Sequence, residues 1–101
     1  MKDEKGFLTM LGFAAKARKV VGGETPVESF LKQANKVQLL IIATDLAEDR
    51  KLQWQKKAET LEIECVEGLD KVTMGTAVGM SPRGVLAILD EQMAKAICMR
   101  V

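Results

Sequence analysis

The stretch VQLLIIA, residues 37–43, gives the clearest indication of the fold. Apart from Gln38 it is apolar throughout, and its large aliphatic residues are consecutive rather than alternating. A strand with one face in water alternates apolar and polar residues, so a consecutive run is typical of a strand that is covered on both faces. GVLAIL, residues 84–89, has the same character. We therefore expect two buried strands in a sheet that lies between other layers.

Helical patterns flank these strands. The spacing of apolar residues predicts a helix over residues 4–17. The stretch TPVE predicts a second helix, with Thr25 as its N-cap and Pro26 as its first residue, that ends near Asn35. Residues 45–60 predict a charged third helix with a thin apolar stripe. The residues expected to face the core are Val27, Phe30, Leu31 and Ala34 in the second helix and Ala47, Trp54, Ala58 and Leu61 in the third.

The remaining segments complete a regular alternation. Short strands are predicted over residues 19–21 and 63–66. Asp70 and Asp90 are predicted N-caps of two further helices, and the first of these runs to Val78 and is closed by Gly79. The order αβαβαβαβα predicts a three-layer α/β/α sandwich with a four-stranded mixed, partly parallel sheet. The 101 residues are expected to form a single domain, residues 1–101.

Composition limits the classes of function. The net charge is +1, with seven bases and four acids between Lys2 and Lys36 and five acids without a base between Glu59 and Asp70. A basic side can bind a polyanion, although charge alone favours a mixed, solvated surface. Cys65 and Cys98 lack CxxC spacing, which predicts reduced core cysteines. With no signal peptide near the start and no apolar run long enough to span a bilayer, we expect a cytoplasmic protein.

Catalytic and metal sites are not indicated. The chain has no histidine, the commonest general base and a common metal ligand. The acid pairs Glu48-Asp49 and Asp90-Glu91 stand at predicted helix starts, where they favour the helix dipole. Trp54 either stacks on a base or anchors the third helix to the sheet, and the second interpretation is the simpler. We therefore expect no catalytic residue, no metal and no cofactor.

Two loops suggest binding instead. The first contains Gly22, Gly23, Glu24 and Thr25, where a strand ends and a helix begins, so that free N–H groups and the helix dipole suit a polyanion. Glu24 would repel phosphate, but a carboxylate can accept hydrogen bonds from donors on base edges. The second loop offers a flexible Met80, Ser81, Pro82 and a guanidinium at Arg83. In an α/β sandwich the two loops are expected at the same end of the sheet.

Three motifs resemble those of the kink-turn-binding ribosomal protein family, and of its bacterial YlxQ-like branch in particular. LGFAAKARKVVGGE, residues 11–24, resembles the family's opening motif. LIIATD, residues 40–45, is similar to its apolar strand that ends in an acid, and MGTAVG, residues 74–79, looks like its L-G-x-A-x-G helix. The motifs occur in the family's order and at matching separations across residues 6–98.

The resemblance implies an α/β/α sandwich that binds RNA and is not an enzyme. Its partner would be a kink-turn, in which tandem sheared G·A pairs adjoin a three-nucleotide bulge; the first loop enters the groove at those pairs and the second covers the bulge. We also expect a monomer that is associated with the ribosome or with translation. The RNA contacts that we expect are Lys19, Gly22, Gly23, Glu24, Thr25, Asp45, Met80, Ser81, Pro82 and Arg83.

The chain departs from the family at three positions. Relatives often have Asn or Lys in place of Gly23 and Lys in place of Val27, so two RNA contacts are expected to be missing. Arg18 stands where relatives often have glycine. These departures leave a second hypothesis open, a protein–protein module of ribosomes or translation factors that has lost RNA binding. A small α/β enzyme is a third hypothesis, which lacks any catalytic constellation.

Overall fold

The computed structural model describes residues 1–33 and 36–101, and its helices and strands alternate in the predicted order. The predicted inward position of Ala34 and the predicted helix end near Asn35 lie outside the described residues. Among the described helices, none is long and apolar enough to cross a membrane. The elements are α1 (Glu4–Lys16), β1 (Val20–Gly22), α2 (Glu24–Leu31), β2 (Leu39–Ile42), α3 (Glu48–Thr60), β3 (Glu64–Glu67), α4 (Lys71–Ala77), β4 (Val85–Ile88) and α5 (Glu91–Cys98).

The sheet has the strand order β1-β4-β2-β3. Among the described strands, only β2 and β3 pair in parallel, whereas β4 is antiparallel to both of its neighbours. Every residue of β2 and β4 is buried, which is the consequence of the consecutive aliphatic runs. The prediction of a four-stranded mixed, partly parallel sheet is confirmed.

Helices cover both faces of this sheet. On one face α1 packs between α4 and α5, and on the other α2 lies against β1 and β4 while α3 lies against β2 and β3. Gly68 lies on the face of the sheet that α1 covers, and a side chain at this position would collide with Ile41, Met74 and Phe7. The close approach of these three buried residues defines the centre of the core on that side. The three-layer α/β/α sandwich is thus confirmed.

Two of the predicted helix starts are correct. The carboxylates of Asp70 and Asp90 accept hydrogen bonds from the N–H groups of Thr73, at 3.0 Å, and Met93, at 2.9 Å, so each aspartate caps its helix. The prediction for α2 is wrong, because the helix begins at Glu24 with Gly23 at the N-cap and no side-chain cap. The chain turns into the helix two residues earlier than the Thr25 signal indicated.

The apolar stripe of α3 also differs from the prediction. Trp54 and Ala58 are buried as expected, but Ala47 and Leu61 are exposed because they flank the helix as its N-cap and C-cap. Lys51 instead lies on the face of α3 that packs on the sheet. Its stem is buried while its amine bonds to Glu67 on β3 at 3.2 Å, so an amphipathic side chain completes the contact between helix and sheet.

Three helices end in the same hydrogen-bonded motif. After α1, the N–H of Arg18 bonds to the carbonyl of Ala15 and that of Lys19 to the carbonyl of Ala14, which is the Schellman pattern. The equivalent bonds close α3 and α4. The residue after the C-cap has a positive φ in each case: 58° at Arg18, 57° at Glu62 and 73° at Gly79. Gly79 is therefore correctly predicted, and position 18 has a backbone conformation that glycine adopts more readily than arginine.

The left-handed conformation of Arg18 leads to a stability prediction. We expect Arg18→Gly to have a free energy of unfolding about 1 kcal/mol higher than Arg18→Ala. Both variants lose the guanidinium, but only glycine removes the Cβ that is crowded at positive φ. Urea unfolding followed by Trp54 fluorescence measures the difference. Equal stability of the two variants would show that position 18 is not strained.

Candidate functional site

The two loops singled out from the sequence lie side by side at one end of the sheet. They enclose an open groove of about 380 Å³, which we call the two-loop groove. Its position follows from the sheet, because β1 ends where β4 begins and the N–H of Gly23 bonds to the carbonyl of Val85 at 2.9 Å. The residues that line it are Gly22, Gly23, Glu24, Thr25, Pro26, Pro82, Arg83 and Gly84.

Bare backbone at Gly22 and Gly23 allows the two loops to touch. A Cβ on Gly22 would lie 2.6 Å from the sulfur of Met80, so the thioether occupies the space of the missing side chain. Gly23 has φ 104° and ψ 149°, a conformation that is almost confined to glycine. An asparagine or lysine at this position would need a different backbone, so the departure at Gly23 has a conformational cause.

The second loop is held down on α4. The N–H of Met80 bonds to the carbonyl of Gly75 at 2.8 Å, and the N–H of Arg83 bonds to the carbonyl of Lys71 at 3.2 Å. A Cβ on Gly75 would lie 2.4 Å from the carbonyl oxygen of Ser81. Gly75 therefore serves close packing, and the loop is a fixed part of the fold.

Arg83 lies across the junction of the loops. Its guanidinium donates hydrogen bonds to the carbonyl oxygens of Ser81, at 3.2 Å, and Pro82, at 3.3 Å. Its side-chain Cδ lies 3.5 Å from the position that a Cβ on Gly23 would take. The cation is thus held at the groove wall, where a positive charge faces the first loop.

Glu24 is bound by two donors of α3. Its Oε1 accepts a hydrogen bond from the indole Nε1 of Trp54 at 2.7 Å and another from the guanidinium of Arg50. Its Oε2 has no hydrogen bond among the described residues. We call Glu24, Arg50 and Trp54 the glutamate clamp. The prediction that Trp54 anchors the third helix is confirmed, since its ring is 3% exposed, and its N–H ties that helix to α2.

The clamp changes the acidity of Glu24. Burial raises the pKa of this carboxyl, but the hydrogen bonds from Trp54 and Arg50 and the positive charges of Arg50 and Lys71 outweigh burial and leave the pKa below its ordinary value. Glu24 is consequently a carboxylate at neutral pH, an acceptor without a proton to donate.

A second contact joins the same two helices one turn further on. Lys57 on α3 forms an ion pair with Glu28 on α2 at 2.5 Å, and its amine lies 4.9 Å from the centre of the Trp54 ring. This pair fixes α2 against α3 but does not touch Glu24. It therefore offers a matched control for the role of the clamp.

Four of the predicted contact residues do not line the two-loop groove. Met80 and Ser81 still belong to the second loop, but Lys19 and Asp45 lie elsewhere. Lys19 precedes β1 and is thus at the opposite end of that strand from Gly22, with its carbonyl bonded to the N–H of Leu89. Asp45 is at the correct end of the sheet, but its carboxylate accepts the N–H of Lys71 at 3.0 Å and so caps α4. Neither residue lines the two-loop groove.

Val27, the second position at which an RNA contact is expected to be missing, lies in the core. Val27 is fully buried, because it lies on the face of α2 that packs on the sheet. Position 27 belongs to the core here, so Val27 itself presents no group at the exposed surface.

Their surroundings keep both cysteines protonated. Burial, with the charges of Glu64 and Glu67, raises the pKa of Cys65 to about 11, and burial also raises the pKa of Cys98. Both thiols are free and half-buried. Among the described residues no group of three potential ligands could hold a metal ion.

Sequence reasoning missed Arg50 and the polar role of Trp54. A signal was present, because Glu24 and Glu28 are four residues apart on one helix, while the donors at 50, 54 and 57 share a face of another. The pattern becomes informative only once α2 and α3 are known to be neighbours.

Comparison with known proteins supports the assignment of the fold. The family model described as the ribosomal protein L7Ae/L30e/S12e/Gadd45 family matches residues 7–98, a span that includes all three motifs. A solved structure of a protein with unknown function from Bacillus halodurans superposes with a TM-score of 0.87 at 25% identity, with 96% of each chain covered. The 15.5kD RNA binding protein of Giardia lamblia superposes with a TM-score of 0.70 at 24% identity over 91% of this chain and 78% of that one. No curated protein matches the chain.

The contact between Gly75 and the second loop leads to a prediction. Gly75→Ala is expected to lower the free energy of unfolding by about 1–3 kcal/mol, because the new methyl group displaces the backbone at Ser81. Gly12→Ala is the matched control, since the nearest atom there is 3.7 Å away and alanine favours a helix by about 0.5–1 kcal/mol. Denaturant unfolding of both variants measures the change in the free energy of unfolding. Changes of the same sign in Gly75→Ala and Gly12→Ala would contradict the prediction.

Proposed function

We propose that this chain, which belongs to the ribosomal protein L7Ae/L30e/S12e/Gadd45 family, binds structured RNA and is not an enzyme. The RNA that we propose is a kink-turn, whose tandem sheared G·A pairs adjoin a bulge. The observation that carries the proposal is the junction of the two loops in one groove, since neither loop alone presents both an acceptor for base edges and a surface for a bulge.

The first loop has the features that a nucleic acid requires. Gly22 and Gly23 let the second loop pack closely on the first, so that the start of α2 lies in the wall of the groove. Helix α2 begins directly at Glu24 without a side-chain cap, and the positive end of its dipole favours a polyanion. Glu24 adds a carboxylate that accepts hydrogen bonds from base N–H groups. We propose that Gly22, Gly23, Glu24 and Thr25 contact the sheared pairs.

The second loop would cover the bulge. Met80 is flexible and polarisable and packs well on irregular apolar surfaces, and Pro82 stiffens the turn beside it. Arg83 supplies a cation that can approach phosphate or stack on a base. We propose that Met80, Ser81, Pro82 and Arg83 form this half of the interface.

Asp45 and Lys19 take lesser roles in the proposal. Asp45 would act indirectly, because its carboxylate holds the start of α4 and thus Lys71 at the edge of the groove. Lys19 is exposed at the far end of β1, so it would reach only phosphates beyond the kink. We further propose a cytoplasmic, monomeric protein that acts with the ribosome or in translation.

The energetics require both loops. To shift an RNA from 1:99 to 99:1 in favour of its bent form, the protein must prefer that form by about 5.5 kcal/mol. A single good base contact contributes about 1–3 kcal/mol. Glu24 alone is therefore insufficient, and the backbone donors and the second loop must supply the rest.

A protein-binding module is the second candidate. It is favoured by the apolar groove between α1 and α4, which is lined by Leu8, Val72 and Ala77, and by Phe13 and Val72, which are 55% and 59% exposed. Copurification with ribosomes or translation factors that survives nuclease, without affinity for structured RNA, would support this candidate.

The proposed function predicts selectivity for the kinked RNA. We expect a kink-turn duplex to bind at least tenfold more tightly, about 1.4 kcal/mol, than the same duplex with its G·A pairs changed to Watson–Crick pairs. The reason is that the substitution removes both the bend and the widened groove. Calorimetric titration at fixed salt measures both affinities, and the salt must be fixed because phosphate contacts make affinity salt-dependent. Equal affinities would refute kink-turn selectivity.

A further inference from the structure

We propose that Arg50 and Trp54 are positioning residues for RNA recognition, which hold Glu24 in one orientation and leave its Oε2 as the oxygen that accepts from a base. The inference rests on the proposed function and extends it, because it makes recognition depend on a helix that does not itself line the two-loop groove. Guanine is the base we propose, since its N1–H and its amino group are donors on one edge.

The geometry of Trp54 carries the first step. Its ring is 3% exposed, so the direction of its N–H is fixed by packing rather than by solvent. A buried indole N–H requires an acceptor, and the carboxylate of Glu24 is that acceptor at 2.7 Å. Release of Glu24 would leave this donor unsatisfied. The buried ring therefore restrains the carboxylate.

Arg50 supplies the second restraint. Its guanidinium bonds to the same Oε1, so the two donors together occupy the lone pairs of that oxygen. Two bonds from different directions define the orientation of the carboxylate group, whereas one bond would allow rotation about it. Oε2 then remains as the acceptor for a ligand.

This arrangement lowers the entropic cost of RNA binding. A free glutamate has many rotamers, and their loss opposes binding. In the clamp that freedom is already lost in the folded protein, so RNA encounters an acceptor that is in place. The clamp also keeps the group ionised, so it can accept but not donate. A base edge that offers only acceptors would be rejected.

A purely structural role is the alternative, since the clamp also joins α2 to α3. The chain contains a control for this alternative. Lys57 joins the same helices through Glu28 and touches the Trp54 ring, but it makes no contact with Glu24. Removal of Lys57 should thus test helix attachment without changing the carboxylate.

The test is a double-mutant cycle on kink-turn affinity. Trp54→Phe keeps a buried ring and removes the N–H, and Arg50→Met removes the second donor. Each is expected to weaken binding about tenfold in the wild-type background and to have no further effect in the Glu24→Gln background. Lys57→Met is expected to bind as the wild type does. Replacement of the G·A guanines by inosine, which lacks the amino group, should weaken wild-type binding and reduce the effect of Trp54→Phe.

The readout in the free protein separates this inference from the proposed function. In the wild type, the Trp54 indole N–H resonance should shift as Glu24 titrates, and this shift should be lost in Glu24→Gln. If this shift of the indole resonance is absent from the wild type, the hydrogen bond from Trp54 to Glu24 is not formed and the inference is wrong.

If the wild type discriminates kink-turn RNA but Trp54→Phe and Arg50→Met bind it as tightly as the wild type does, the positioning role is wrong and the proposed function stands. If Lys57→Met loses as much affinity as Trp54→Phe, the clamp acts through helix attachment and the inference is also wrong. If the wild type shows no preference for the kink-turn, the proposed function fails and the inference fails with it.

Discussion

The antiparallel pairing of β1 with β4 is the constraint on which the candidate site depends. In this register Gly22 lies opposite Leu86, and the next N–H, that of Gly23, bonds to Val85. The chain that leaves β1 must therefore pass the chain that enters β4. The two loops belong to segments almost sixty residues apart in sequence, and this pairing alone brings them to one place. A parallel arrangement would have put them at opposite ends of the sheet.

Three glycines allow the two neighbouring loops to pack closely, each for a different reason. Gly22 leaves room for the Met80 sulfur, Gly75 leaves room for the backbone of Ser81, and Gly23 adopts a φ of 104° that starts α2 without an intervening turn. The early start places Glu24 in the first turn of the helix, within reach of α3. The conformation of the bare backbone thus determines both the shape of the groove and the partner of its carboxylate.

The sequence predicted most of the fold, because the central strands consist of consecutive aliphatic residues and the alternation of elements leaves few topologies. Local signals were insufficient where tertiary contacts decide the outcome. The capping signal at Thr25 was overridden by the hydrogen bond from Gly23 to β4. Lys19 was predicted to contact RNA together with Gly22, but each residue of a strand advances about 3.3 Å, so the two residues lie at opposite ends of β1. The two loops were identified from composition, but Arg50 could not be, since its role depends on the packing of two helices whose order in space the sequence does not give.

The central claim, that the two-loop groove is the RNA-binding surface, can be tested by NMR mapping of the labelled protein with a kink-turn RNA. The account predicts that the largest amide shifts fall at residues 22–25 and 80–84, apart from Pro82, which has no amide. Residues 61–63 at the opposite end of the sheet serve as the internal reference and should change little. Shifts centred on residues 61–63 or on the groove between α1 and α4, with none at residues 22–25, would contradict the account.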